Sequence, residues 1–511
     1  MEGAMTSAEV RYLRAFAGAS SELYIYGAGK YARIYAEILE ECALPLKGFI
    51  VSSEEHETAY LGLPVFSAHE IQLTEHMRVI AGFRGARLDD LEIHGLCEKQ
   101  CLFLTEGAFR RLNVAVFLRR PLQELAKRHP PGQLASEKIL AKNILILRLD
   151  VIGDLLFTVP FLRELRRNYP DAHITFVVWE KMYDMMRDCP YVDEVLPYAC
   201  RLREGDLLPQ FEEWEETCRR VRAFVDEHLS EQNYEAVFLP RSLLSGRNCV
   251  DEFVMALMSG ATYRVGRFDD FFLPYHALLR SDLEQWMSRL YIEMEPKHEV
   301  EYMMDLLRLC GCHVADGKMS YWLSQEAKTF AERLVSRWPG WRYIACGIAG
   351  RNDASRCWPP RKYGELVHRF DGERVKFLLL GDQSTAAAAG QIGAGKNIVD
   401  LTGKTSLSQV AAVISLCDLY VGSDTGLMHF ASAAGTPVVE LSVWLRGGDL
   451  TAGWAPHRMG PWGVPSHVLL SECDGGPCRQ ELDSHAEGVG LITVDAVEQA
   501  VRDILKKHAH K

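Results

Sequence analysis

Two stretches of this chain most limit what it can fold into. Asn143, Ile144, Leu145, Ile146, Leu147 and Arg148 form an apolar run with almost no alternation. A strand covered on both faces of a parallel sheet reads this way. A turn with Gly153 and Asp154 follows, then a helical pattern carrying Leu155, Leu156, Val159, Leu162 and Leu165. Far along the chain the arrangement recurs. A strand pattern at residues 419–421 meets Gly422-Ser423-Asp424-Thr425, and a helix pattern runs over residues 426–434. Strand, glycine turn and helix, twice, predict open α/β sheets whose ligands bind at the carboxyl ends of the strands.

Further strand patterns at residues 173–178 and 235–239 accompany the first stretch. Those at 343–346, 375–380 and 437–441 accompany the second, with helices at 360–370, 407–416 and 494–507. A smaller βαβ-type unit precedes both, with strands at 23–26, 46–51 and 78–81. Its helix carries Ile34, Ile38 and Leu39 on one face. At about 150 residues per domain, 511 residues predict three domains. The breakers His129, Pro130, Pro131 and Gly132 put the first boundary near residue 135. The expected division is 1–135, 136–335 and 336–511.

Acidic residues outnumber basic ones, 69 to 57, for a net charge of −12. This excludes a general nucleic-acid binder, which needs a basic surface against phosphates. The 14 cysteines are scattered, as expected of reduced thiols in a cytosolic protein. Residues 1–30 contain Glu2, Glu9 and Glu22 and no apolar core of an export signal. No run of about 18 apolar residues predicts a membrane span. The expected location is cytoplasmic, with any membrane association peripheral, on the inner face of the cytoplasmic membrane.

Three segments can carry chemistry. Asp154 sits in the turn before the first helix, where a carboxylate can take a proton from an attacking hydroxyl. The same position suits a helix cap, and spacing alone leaves both open. In the second segment, Asp424, Thr425 and Gly426 precede a helix whose free N–H groups suit a phosphate. Asp424 or Thr425 could equally cap that helix, and His429 reads as a packing histidine. In the third, Arg351 and Arg356 lie between a strand and a helix, and their guanidiniums can fork onto a diphosphate. A solvated surface loop is the plainer alternative.

These segments, in this order, resemble the heptosyltransferase family, glycosyltransferase family 9. The residues concerned are Arg148, Leu149, Ile152, Gly153, Asp154 and Pro160; Arg356, Trp358 and Pro359; and Asp424, Thr425, Gly426, His429, Ala431, Ala433, Gly435, Thr436 and Pro437. Three further stretches fit: Pro170-Asp171-Ala172, Tyr191-Val192-Asp193-Glu194-Val195, and Asp400 through Thr405 to Leu407. The resemblance covers residues 142–507. It implies an α/β fold of the two-lobed GT-B type, with residues 136–335 as acceptor lobe and 336–511 as donor lobe. The implied reaction is metal-independent, inverting transfer of a sugar, heptose from ADP-heptose above all, to a hydroxyl of a surface glycan or a protein. No cofactor is implied beyond the nucleotide-sugar substrate. Asp154 is then the general base, and Arg356 holds the donor diphosphate with Arg351 beside it. Asp424, Thr425 and Gly426 lie against donor sugar and phosphates, and Thr405 lies near the nucleotide. No Asp-x-Asp motif of metal-dependent transfer is present. A homo-oligomer is compatible with this reading.

The sequence departs from the family in places. After Leu380-Gly381, where an acid reaches the ribose, the run is Asp382-Gln383-Ser384, in a different register. Cys473 and Cys478 stand where relatives carry a cysteine cluster; two ligands make a poor metal site, and free thiols are expected. The N-terminal unit carries Gly27, Gly29 and Ala32 in a dinucleotide-like fingerprint without the acid at the end of the second strand. It resembles small nucleotide-sugar-binding domains. A structural or regulatory Rossmann-like domain is the leading reading, sugar-nucleotide binding the second and NAD redox chemistry the last. A different class of function, a non-catalytic nucleotide-sugar sensor of the same fold, is the alternative to an enzyme.

Overall fold

The computed structural model describes residues 15–18, 22–28, 30–41, 43–53, 56–81, 91–94, 96–97, 100–102, 119–133, 138–200, 214–243, 249–269, 277–348, 357–445, 455–471 and 489–507. They build three six-stranded sheets in succession. The first holds β1 (Glu22–Tyr26), β2 (Leu46–Val51), β3 (Ala59–Tyr60), β4 (Leu63–Ser67), β5 (Met77–Ala81) and β6 (Cys101–Leu102). Its order is β3-β4-β2-β1-β5-β6, parallel apart from the β3–β4 pair. The simple βαβ unit expected from sequence is therefore larger. The extra strands are two to five residues long, too short to show a period.

The second sheet holds β7 (Asn143–Arg148), β8 (His173–Trp179), β9 (Glu194–Tyr198), β10 (Ala236–Ser242), β11 (Tyr263–Asp269) and β12 (Arg289–Glu293). Its order is β12-β11-β10-β7-β8-β9, all parallel. The third holds β13 (Arg342–Gly347), β14 (Val375–Leu380), β15 (Ile398–Asp400), β16 (Leu419–Ser423), β17 (Val438–Leu445) and β18 (Ser466–Ser471), in the order β15-β14-β13-β16-β17-β18. These strands are parallel too.

In each of the last two sheets the chain walks outward from one strand, then returns to that strand's other side. The reversal lies between β7 and β10 in one sheet and between β13 and β16 in the other. Open α/β sheets bind ligands at such points, because adjacent connections leave on opposite faces and open a crevice. The glycine turns after β7 and β16 sit at the two reversals.

The two large sheets share one core. Ile144 and Ile146, Phe157 and Phe161, Met303 and Leu307, Ala331 and Leu334, Val413 and Ile414, and Met428 and Phe430 belong to a single buried cluster. It is carried by helices Ile152–Asn168, Glu299–Leu309, Gln325–Val335, Leu407–Ser415 and Gly426–Ala434. The first sheet has cores of its own, around Ile25, Tyr35 and Phe49 and around Ile50, Val79 and Leu91. The helix Arg119–Arg128 packs instead on the second sheet, through Leu122, Leu125 and Ala126. Gly132 N–H then donates to Thr262 O at 2.7 Å. The stretch up to Gly132 is thus fastened to the second sheet.

Among the described residues no helix is long and apolar enough to cross a membrane. The described cysteines form no disulfide with one another, and Cys473 and Cys478 lie outside the described residues.

Candidate active site

The first helix after β7 begins at Ile152, with Val151 as its N-cap and no side-chain capping bond. Asp154 lies in the first turn, yet its carboxylate does not cap. Its Oδ1 accepts from Arg148 Nη2 at 3.3 Å, and its side chain is 23% exposed. Arg148 is 1% exposed and also meets Asp150, its Nε 2.9 Å from Oδ2. That second contact is an ion pair without hydrogen-bond alignment. Burial pushes the Asp154 carboxyl up to about 6, with Asp150 adding to the rise and Arg148 and Arg241 opposing it.

On the other lobe, Thr425 occupies the N-cap position of helix Gly426–Ala434, again without a side-chain capping bond. Its Oγ1 lies 3.5 Å from the buried Tyr420 hydroxyl. Tyr420 reaches that place because Gly347 and Gly422 carry no Cβ; a methyl at either would collide with its hydroxyl. Asp424 Oδ1 lies 3.3 Å from His429 Nε2.

The two glycine turns meet. A Cβ on Gly426 would stand 2.8 Å from Ile152 Cγ2, and one on Gly153 would stand 2.8 Å from His429 Nε2 and closer still to the ring carbon. His429 is 4% exposed and sets its ring edgewise on Phe157, 4.5 Å between centroids. It is therefore a packing histidine, as the sequence suggests, but what it packs against is the Asp154 turn of the opposite lobe. No period along one helix could announce a contact across 276 residues.

Of the remaining candidates, Gly381, Asp382 and Thr405 lie in the turns that follow β14 and β15 of the third sheet. Gly381 directly follows β14, where a side chain would strike Thr385; its carbonyl accepts from Gly403 N–H, and a side chain on Gly403 would strike Gln383. Asp382 caps the short 3-10 turn Gln383–Thr385: its Oδ1 accepts from Ser384 N at 2.9 Å. One oxygen of the acid considered for the ribose is thus already engaged. Among the described residues Thr405 Oγ1 is buried with no hydrogen-bond partner. Trp358 is fully buried and donates to Ile492 O at 3.0 Å, anchoring the loop that leads to Pro359 and the next helix. Arg351 and Arg356 lie outside the described residues, as does Gly29. Gly27 has φ 106° and donates to Ile50 O at 2.7 Å, and Ala32 is buried; this turn belongs to the first sheet.

A second junction between the lobes escaped the sequence reading. Arg458 Nε donates to Glu299 Oε1 at 2.5 Å, and its Nη2 lies 3.4 Å from Glu293. Arg267 pairs with the same two acids, and both guanidiniums flank the Tyr302 ring at 5.2 Å. The arginines hold the Glu299 carboxyl below the usual carboxylate range although burial alone would raise it. His298 stacks on Trp462 at 4.4 Å. Its Nδ1 accepts from Val300 N, so Nε2 carries the proton and donates to Gly460 O at 3.1 Å. Burial accordingly lowers its pKa to about 4.

The close fit at Gly153 gives a prediction of unusual sign. Glycine to alanine in a helix normally stabilises by up to ~1 kcal/mol. Here overpacking against His429 costs about 1–3 kcal/mol. Gly153→Ala should lower the melting temperature and slow transfer, read by calorimetry and by nucleotide release. A higher melting temperature would contradict the packing described.

Comparison with known proteins points to one family. Residues 283–485 match the model of glycosyltransferase family 9 (heptosyltransferase). The chain is 26% identical over 316 residues to lipopolysaccharide heptosyltransferase 2 of Escherichia coli K12, covering 58% of this chain and 82% of that protein. It is 25% identical over 307 residues to lipopolysaccharide heptosyltransferase 1 of Pseudomonas aeruginosa, covering 58% and 78%. Its fold is similar to that of a family 9 glycosyl transferase from Veillonella parvula (TM-score 0.56, 20% identity, 74% of this chain and 99% of that one). It is likewise similar to the E. coli ADP-heptose LPS heptosyltransferase II (TM-score 0.51, 18% identity, 72% and 99%). Two lobes joined at paired glycine turns, in a chain whose residues 283–485 match the family 9 model, make it a glycosyltransferase of the GT-B fold similar to the heptosyltransferases of glycosyltransferase family 9.

Proposed function

We propose that the chain transfers heptose from ADP-heptose to a hydroxyl of a lipopolysaccharide core or another surface glycan, with inversion and without a metal. The observation that carries this reading is the meeting of the Asp154 turn of one lobe with the Asp424–Gly426 turn of the other. Asp154 takes the proton of the acceptor hydroxyl as that oxygen bonds to the anomeric carbon. The bond from that carbon to the diphosphate oxygen breaks, and its electron pair leaves on ADP. Negative charge developing there meets the free N–H groups at the start of helix Gly426–Ala434 and the Arg351 and Arg356 side chains. Asp424 and Thr425 flank the donor sugar. Thr405, whose buried hydroxyl lacks a partner among the described residues, lies by the nucleotide with Gly381 and Asp382.

Under this reading the acceptor sits on the lobe of the second sheet, which also takes in helix Arg119–Arg128, the donor on that of residues 336–511, and the first sheet with Gly27, Gly29 and Ala32 forms a separate Rossmann-like domain. The enzyme works at the inner face of the membrane, held there peripherally. A lipopolysaccharide assignment is favoured over a protein acceptor by the names of the relatives.

The test is to incubate the protein with ADP-heptose, UDP-glucose or GDP-mannose and a deheptosylated core acceptor, following nucleotide release and melting temperature. At 100-fold excess over Kd a ligand stabilises by about 2.7 kcal/mol. ADP-heptose alone should raise the melting temperature, and acceptor should trigger ADP release. Stabilisation without release would leave the sensor class; stabilisation by UDP-glucose in its place would change the donor.

A further inference from the structure

The proposed base does not stand alone. Behind it four charged side chains continue an alternation in sign. Arg148 bridges Asp154 (3.3 Å) and Asp150 (2.9 Å). Arg241, at the end of β10, lies 3.0 Å from the other oxygen of Asp150 and 3.9 Å from Glu252. Glu252, on helix Cys249–Met258, accepts from Leu149 N–H at 2.5 Å. Side-chain exposures run 23% at Asp154, 1% at Arg148, 13% at Asp150 and Arg241 and 2% at Glu252. Only the Asp154 end nears the surface.

Three carboxylates share two guanidiniums. A buried carboxylate without a cation of its own tends to take up a proton. One negative charge is in excess here, and it is least tolerable at the least exposed acid.

We propose that Arg148, Asp150, Arg241 and Glu252 form a buried relay that positions Asp154 and meters its charge, with Glu252 holding the proton the two arginines leave over. This rests on the reading of Asp154 as base. The four are positioning residues, since Asp154 is the most exposed of the five. The carboxyl of Glu252 is pushed up to about 7 by burial, against Arg241, while Asp150 adds to the rise. Other groups face the relay. Glu299 acts on Asp154 from its own helix and is itself paired with Arg267 and Arg458. Cys249 lies near Arg241, and Cys200 near Glu252. From the opposite lobe, His429 with Asp424 stands against Gly153.

The relay predicts opposite movements of one pH limb. Asp150→Asn removes a negative charge beside Asp154, so the acid limb of nucleotide release from ADP-heptose, with core acceptor, moves to lower pH. Arg148→Gln removes the stabilising cation, so the limb moves to higher pH, and Arg148→Lys lies between. Each shift should be at least half a pH unit, which is a charge effect of ~0.7 kcal/mol. A purely structural role would change rates without moving the limb in opposite senses.

A second arm needs no substrate. A raised Glu252 pKa means stability present below the ordinary glutamate range and lost as pH rises through about 7. Glu252→Gln keeps an oxygen for Leu149 N–H and removes that loss. The melting temperature of the variant minus that of the parent should therefore climb between pH 5.5 and 8.5, by roughly 2–4 °C for each kcal/mol. A flat difference, or limbs that stay put or move together, overturns the relay. Should Asp154→Asn remain active, the base reading fails instead, and the melting arm still judges Glu252.

Discussion

Asp154→Asn will lower transfer by roughly 10²–10⁴-fold, the usual contribution of a positioned general base, while the protein melts no lower at pH 8. The amide keeps an oxygen toward Arg148 and fits the same space, so the turn after β7 retains its shape. What disappears is a carboxylate whose burial holds it up to about 6. A carboxyl raised in the folded state contributes stability that is lost as pH rises through that value. At pH 8 the parent protein carries that loss and the asparagine variant does not. The parent should also lose activity as pH falls through about 6, because the protonated acid cannot accept a proton. Initial rates from pH 5 to 9, with calorimetry on both proteins, check all three points. Near-normal turnover in the variant would remove Asp154 from the chemistry.

The second large effect concerns the far junction. Arg458→Ala should destabilise by ~3–5 kcal/mol, because it strips a cation from two buried acids and leaves them uncompensated. Glu293 is fully buried and Glu299 6% exposed, so water cannot take the place of the guanidinium. Arg267 would then face both carboxylates alone. The loss should appear as a lower denaturant midpoint and should be larger at neutral than at acid pH. The arginines depress the Glu299 carboxyl, so their contribution is present above the ordinary glutamate range and fades as pH falls below it. Arg458→Met, which retains bulk, should be nearly as damaging as alanine. A loss below 1 kcal/mol would show the pairing to be incidental.

How much of this was legible differs from strand to strand. β7 and β16 carry continuous apolar runs and β14 is broken only by Lys376, and their patterns locate them almost to the residue. β11 and β12 were not found. Tyr263–Asp269 and Arg289–Glu293 contain Arg264, Arg267 and Glu293, and charged residues in a short run read as surface. All three are buried here because partners arrive from elsewhere, Arg267 and Glu293 for each other and Trp286 O for Arg264. The site divides in the same way. Asp154 and Asp424 were visible because a glycine turn between strand and helix is a local event. Asp150 stood in plain view and Arg241 and Glu252 did not stand out, since what joins them is the order of strands in a sheet. The alternative of a cap at Asp154 could be settled only by seeing where its oxygen points. The two-lobed fold was read correctly, whereas the first sheet proved twice as wide as its three obvious strands.

The Arg458–Glu299 junction also governs how the molecule can move. Trp462 Nε1 donates to Gly317 O at 2.9 Å, so this junction lies beside the segment that crosses between the lobes. Separation there would expose paired charges, whereas separation at Gly153 and His429 parts a glycine from a ring. Opening of the two lobes should therefore cost most at the Arg458–Glu299 junction and least at the Gly153–His429 contact. Raised salt, which loosens exposed pairs and spares buried ones, should leave the Arg458–Glu299 junction in place.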